Sequence, residues 1–202
     1  MKNQEQSELT KARILEVAYK EFSQKGYANV ALEEIVQQTN LTRGAIYHHF
    51  KSKKGLFQAV VEELQKNVAN EVEKAAILHE DNWQALIDGS MAFIRTMLNE
   101  EYRRILIVDA PTVLGWNMWE EIDDKHSERH LKDHLTRMHE MGELKDISID
   151  ALSSILSGSM NEAVMWIGKK KDIDTAINEA SVIIEHILRA FRRNGIDGSK
   201  IE

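Results

Sequence analysis

Residues 27–57, YANVALEEIVQQTNLTRGAIYHHFKSKKGLF, decide the fold of this chain. Leu32, Ile35 and Val36 place apolar side chains on one face of a short helix over residues 32–38. Asn40 follows, a residue type that tolerates the left-handed backbone of a sharp turn. Thr42 is placed to cap a second short helix, Arg43–Phe50, and Ser52 to cap a third. A short helix, a tight turn and a second short helix make a helix-turn-helix. A major groove about 12 Å wide admits one such helix, whose N-terminal residues meet base edges. Here those residues are Arg43, Gly44 and Ala45. Arg43 offers two parallel donors to a guanine, Gly44 lets the backbone approach closely, and Ala45 offers a methyl to a thymine methyl. Ile46 and Phe50 point back toward a small core. Tyr47 and His48 lie on the outer face, within reach of phosphates. Lys51, Lys53 and Lys54 flank the N-terminus of the following helix, which favours anions through its free N–H groups and dipole.

Outward from this window the chain reads as helix almost throughout. Ile14, Ala18 and Phe22 fall at i, i+4 and i+8 of a helix from Ser7 to Lys25, and Gly26 is a natural stop. The helix opening at Ser52 runs to about Leu78, with Leu56, Phe57, Val60, Val61, Leu64 and Val68 as its buried stripe. Further helices are expected from Asn82 to Asn99, from Tyr102 to Leu114 with a kink or end at Pro111, and from Trp116 to Met141 after a break at Gly115. Two more cover Ile149 to Lys170 and Asp174 to Arg193. The fold class is therefore all-α with about nine helices. Residues 1–55 form a helix-turn-helix DNA-binding domain, and 56–202 a second helical domain. One proline among 202 residues agrees with long uninterrupted helices.

Composition narrows the function. With no cysteine, disulfides, thiolate metal sites and thiol nucleophiles are excluded. No apolar run reaches the roughly 18 residues of a membrane span. The start, MKNQEQSELTKAR, has no hydrophobic signal region, so a cytoplasmic location is expected. The net charge of −7 divides unevenly: residues 1–55 hold nine Lys/Arg against six Asp/Glu, and the remainder seventeen against twenty-seven. A basic head on an acidic body attracts phosphate at one end only. There is no Gly-rich phosphate loop, no HExxH and no Ser/His/Asp set, so an enzyme is not expected, and no cofactor is called for.

Residues 13–60 resemble the N-terminal domain of the tetracycline-repressor (TetR) family. The resemblance is carried by Ile14-Leu15, Ala18, Phe22, Gly26-Tyr27, Glu34-Ile35 and the run Arg43-Gly44-Ala45-Ile46-Tyr47-His48-His49-Phe50-Lys51-Ser52-Lys53. It implies an all-helical homodimer with a DNA-binding domain and a ligand-binding, dimerising domain. It also implies that Thr42, Arg43, Gly44, Tyr47, His48 and Lys53 contact bases or phosphates. Two positions depart from the family pattern. Ala31 stands where a capping Thr that also touches a phosphate is usual; the lost cap costs about 1 kcal/mol, and one phosphate contact goes with it unless Asn29 substitutes. Val36 replaces a small residue where the two short helices cross. The stretch Arg103 to Asp123, RRILIVDAPTVLGWNMWEEID, resembles the middle of one subset of TetR-like C-terminal domains.

In the acidic body, Met and aromatic residues make adaptable walls for a bulky apolar or planar effector. The candidates are Phe93, Met97, Tyr102, Trp116, Trp119, Met138, Met165 and Trp166, set against the plainer reading that each is core. Asp109, Glu120 and Glu121 would suit a cationic ligand. His126, His130 and His134 recur every fourth residue, a spacing compatible with metal, but they read better as a polar, partly exposed face. The last two helices carry apolar residues on more than one face: Leu152, Ile155, Leu156, Ser159 and Met160 on one helix, Ile184, Ile187 and Phe191 on the other. Such helices need a further partner, and a two-fold four-helix interface between copies supplies it. A dimer would read a palindromic operator with the avidity that a single helix-turn-helix lacks. The function expected is a ligand-responsive repressor that binds double-stranded DNA and is released by a small hydrophobic or planar effector. The alternative is a DNA-binding regulator without such a ligand, controlled by a protein partner or by abundance.

Overall fold

Ile14, Ala18 and Phe22 recur one turn apart in the first helix, and all three are fully buried. Around such stripes the computed structural model, which describes residues 2–193, builds an all-helical protein without a strand among those residues; an isolated bridge joins Leu144 and Arg192. The elements are α1 (Lys2–Lys25), α2 (Leu32–Thr39), α3 (Arg43–Phe50), α4 (Lys53–Ala76), α5 (Asn82–Met97), α6 (Glu100–Arg103), α7 (Ala110–Leu114), α8 (Trp116–Lys125), α9 (Ser127–Glu140), α10 (Ile149–Ile167) and α11 (Ile173–Ala190). A π-helical stretch, Arg104–Asp109, joins α6 to α7 without a break. Counting that run as one helix, the described residues hold ten.

The tenth arises where one long helix was expected. Trp116 to Met141 is divided at His126, whose φ of −125° and ψ of −91° lie outside the helical range. Glu120, Glu121, Asp123 and Asp124 crowd the C-terminal half of α8, where carboxylates oppose the helix dipole. Pro111 has the opposite outcome: the helix continues through it to Leu114. A proline clashes with the carbonyl one turn earlier, and the widened π stretch just before it makes room, with the Ala110 N–H donating five residues back to Ile105. Gly115 then ends the helix at φ 89°.

The packing divides the described residues into two units that alternate along the sequence: 2–67 with 99–123, and 68–98 with 124–193. In the first, Phe22 and Phe57 meet edge to face at 5.1 Å, and Tyr27 packs on Phe57 at 5.0 Å. Ile35, Ile46, Leu56, Ile105 and Leu106 complete that core. In the second, α5, α9, α10 and α11 surround Ile94, Met97, Leu135, Met138, Leu156, Val164 and Leu188.

Candidate nucleic-acid interface

The turn between α2 and α3 is built by local chemistry. Asn40 takes φ 52° and ψ 31°, and its N–H donates to the Gln37 carbonyl. Thr42 is extended, and its Oγ1 accepts from the Ala45 N–H at 3.2 Å. Ile46 and Phe50 are buried, which turns Thr42, Arg43, Gly44, Tyr47 and His48 to solvent on one face, with Ala45 half-buried beside them. The residues expected to read DNA thus share one exposed face of α3.

Arg43 is held in place from two sides. Its guanidinium lies 3.1 Å from Glu33 on α2, donates to the Tyr47 hydroxyl at 3.2 Å, and stacks 5.3 Å from that ring. The Tyr47 contact and the Glu33 charge raise its pKa further, so the cation is permanent. Ala31 supplies no side-chain cap to α2, and the Asn29 amide donates to the Lys25 carbonyl instead.

The lysine strip divides into different tasks. Lys51 adopts φ 66° and ends α3, its ammonium donating to the His48 carbonyl at 3.1 Å. Lys53 is half-buried with Nζ 4.3 Å above the Tyr27 ring, and burial lowers its pKa. Lys54 donates to the Leu114 carbonyl at 3.3 Å, at the C-terminus of α7.

Four supporting residues escaped the sequence reading. Gly55 is compulsory: a Cβ there would sit 2.1 Å from the Phe50 carbonyl oxygen, because the first turn of α4 presses on the end of α3. Its sequence signal is a glycine in the first turn of a helix, just after the Ser52 cap, whose Oγ accepts from the Gly55 N–H at 3.0 Å. Asp109, read as a cation-binding group, accepts from the Tyr27 N–H at 3.0 Å. Arg104 donates to the Gln24 carbonyl at 3.2 Å and closes over Gly26, where a Cβ would meet its guanidinium at 2.8 Å. Glu101 accepts a hydrogen bond from Tyr19. No local pattern announces the last three, since their partners lie some eighty residues away.

The second unit contains a cavity of about 360 Å³. Val72, Ala76, Ala85, Leu86, Gly89 and Phe93 supply apolar wall from α4 and α5, and Glu73, His79, Asn82, Ser90, His130, His134 and Arg137 supply polar groups. Of the eight candidate pocket residues, Phe93 lines it. Met97 and Met138 are buried core, Met165 is half-buried, and Tyr102 meets Tyr19 edge-on. Trp116 is exposed beside Trp119, whose indole N–H donates to the Leu106 carbonyl at 2.8 Å. Trp166 lines a second, apolar hollow of about 340 Å³ on α10 and α11, together with Ser159, Ala163, Ala180, Ile183, Ile184 and Ile187. Among the candidate interface residues, Leu152, Leu156, Met160 and Ile184 are buried within the unit. Ile155 is 66% exposed, and Ser159, Ile187 and Phe191 are half-buried. The histidine stripe is not a cluster: His126 sits at the α8–α9 break, while His130 and His134 face the cavity. Among the described residues no group of three or more His, Cys, Asp or Glu is placed to hold a metal ion, and no helix is long and apolar enough to cross a membrane.

Comparison with known proteins agrees with this geometry. Residues 14–60 match the family described as bacterial regulatory proteins, tetR family, and residues 83–191 match the tetracyclin repressor-like C-terminal domain. The chain is 28% identical over 153 residues to the transposon Tn10 TetC protein of Escherichia coli, covering 76% of this chain and 74% of TetC. It is 35% identical over 107 residues to the HTH-type transcriptional regulator AcrR of Shigella flexneri, covering 52% of this chain and only half of AcrR's length. A crystal structure of a TetR-family transcriptional regulator from Pectobacterium atrosepticum superposes with a TM-score of 0.76 at 30% identity, covering 94% of this chain and 97% of that one. AcrR and the Pectobacterium protein are transcriptional regulators. With both halves of the chain matched and the reading helix in place, the protein belongs to the TetR family of DNA-binding transcriptional regulators.

Proposed function

We propose that the protein is a ligand-responsive repressor that binds a palindromic operator as a homodimer and is released by a small effector. Residues 1–55 would read DNA, and 56–202 would bind the effector and dimerise. The observation that carries this reading is α4, one unbroken helix from Lys53 to Ala76. Its first turn seats Lys53 on Tyr27 and Gly55 on the end of α3, and its last turns give Val72, Glu73 and Ala76 to the cavity wall. An effector that displaced the far end of α4 would disturb the seat of the recognition helix, and a useful switch needs only about 1–3 kcal/mol of coupling. The exposed Ile155, Val182 and Ile183 on α10 and α11 supply the apolar surface that a second copy would cover. On Gly158 a Cβ would meet nothing, so that face admits close approach. A regulator without a small-molecule ligand is the reading a filled body would favour, and a hollow of about 360 Å³ weighs against it.

The test joins both claims. Operator duplexes are selected from random DNA, and release is followed by fluorescence anisotropy across a panel of small apolar compounds. Ile155→Glu should yield a folded monomer by sedimentation, with operator affinity reduced at least tenfold. Ala76→Phe, which fills the cavity, should bind operator normally yet resist every releasing compound. A dimer that survives Ile155→Glu overturns the interface, and release that survives Ala76→Phe overturns the effector site.

A further inference from the structure

The cavity in the second unit has a chemical polarity that its apolar walls do not announce. Helix α9 turns His130, Leu131, His134 and Arg137 toward it, a spacing that sets them along one face. His134 lies with Nε2 at 2.9 Å from the Asn82 backbone carbonyl. A carbonyl only accepts, so Nε2 carries the proton. With Nε2 as the donor, Nδ1 is left to accept, and the Arg137 guanidinium approaches it at 3.5 Å. Arg137 is exposed, it makes no ion pair among the described residues, and its remaining N–H groups have no protein acceptor there. His79, across the lining, is committed to the Asp88 carboxylate at 2.6 Å.

We propose that the effector is an amphipathic organic acid, its apolar body against Val72, Leu86 and Phe93 and its carboxylate, or an equivalent planar anion, on the fork of Arg137. This rests on the cavity being the effector site proposed above. A planar guanidinium with free donors matches a carboxylate in charge and in geometry. The single carboxylate of the lining, Glu73, belongs to α4 and not to the helix that carries Arg137. Its charge disfavours a second negative group on the ligand, so the acid is a single one on an otherwise apolar body. The sign is opposite to that of the cationic ligand which Asp109, Glu120 and Glu121 would suit. Asp109 is engaged with Tyr27, and none of the three lines this cavity.

The experiment uses three probes of one shape and different charge: 2-naphthoate, 2-naphthamide and 2-naphthylmethylammonium, titrated into the full-length protein by calorimetry at constant ionic strength. The wild type should bind naphthoate about tenfold more tightly than the amide, and the ammonium most weakly. Arg137→Gln should erase the preference for naphthoate over the amide while leaving the amide affinity unchanged, which also reports that the cavity is intact. Arg137→Lys should restore part of it, and Glu73→Gln should strengthen naphthoate alone. Equal binding of all three probes, a preference for the ammonium, or a naphthoate preference that survives Arg137→Gln overturns the acid assignment. Should compounds of other charge still release operator in a manner blocked by Ala76→Phe, the effector site would stand while the acid assignment fell. If no probe binds and no compound releases DNA, both fall together.

Discussion

In α3 the working residues face outward and the supporting ones inward. Arg43, Gly44, Tyr47 and His48 are exposed, while Ile46 and Phe50 are buried. In α5 the arrangement is reversed, since Ala85, Leu86, Gly89, Ser90 and Phe93 are buried and are themselves cavity wall. The difference follows from what each helix meets. The DNA major groove is an open surface that one helix can enter, so a short exposed helix with a fixed register suffices. A small molecule must be enclosed, and the proposed effector cavity is accordingly pooled from α4, α5, α9 and α10. Core and site are separable in the head and merged in the body. Substitutions on the outer face of α3 should therefore change DNA binding without changing stability, and substitutions in the body should seldom do one alone.

The sharpest way to break this contrast is to attack the head from behind. Ile46→Ala should lower stability by about 2–5 kcal/mol in denaturant melts and abolish operator binding with it. Gly55→Ala should cost about 1–3 kcal/mol, because a methyl facing the Phe50 carbonyl at 2.1 Å forces α3 and α4 apart. An unchanged melting temperature in Gly55→Ala would show that the seat of α3 is looser than its geometry. Attack from the front should behave differently. Arg43→Ala should leave the melting temperature in place and weaken the selected operator about ten- to a hundredfold, most of it at one base pair. Lys53→Ala should weaken all sequences alike and reduce the salt slope; loss of specificity there instead would exchange the roles of the two residues. The smallest effect sharpens the comparison by repair. Ala31→Thr should restore the missing cap of α2 and raise stability by about 1 kcal/mol, since no side chain accepts from the first N–H groups of that helix at Ala31.

The head was legible because its signals are local. Asn40, Thr42 and Ser52 each act within three residues of themselves, and the burial of Ile46 and Phe50 follows from helical period alone. Two boundaries were not legible for the same reason in reverse. The division at His126 and the π stretch before Pro111 depend on accumulated carboxylates and on how a wide turn absorbs a missing donor, neither of which a hydrophobic pattern records. The cavity was least legible. Met97, Met138 and Trp119 carry the composition of a pocket but sit in core or hydrogen-bond to backbone. The residues that line the hollow include small and polar ones, Ala76, Gly89, Ser90 and His134, whose types carry no such signal.

The all-helical fold and the position of the helix-turn-helix are legible in the sequence alone, because capping, turn and periodicity are contests decided within a few residues of chain. Asp109 braces Tyr27, and the exposed Arg137 faces a cavity with no ion pair among the described residues, through packing that no local pattern records. Those outcomes depend on contacts between segments far apart in the chain. Their energy is gained when the helices pack, and it leaves no period in the sequence to read.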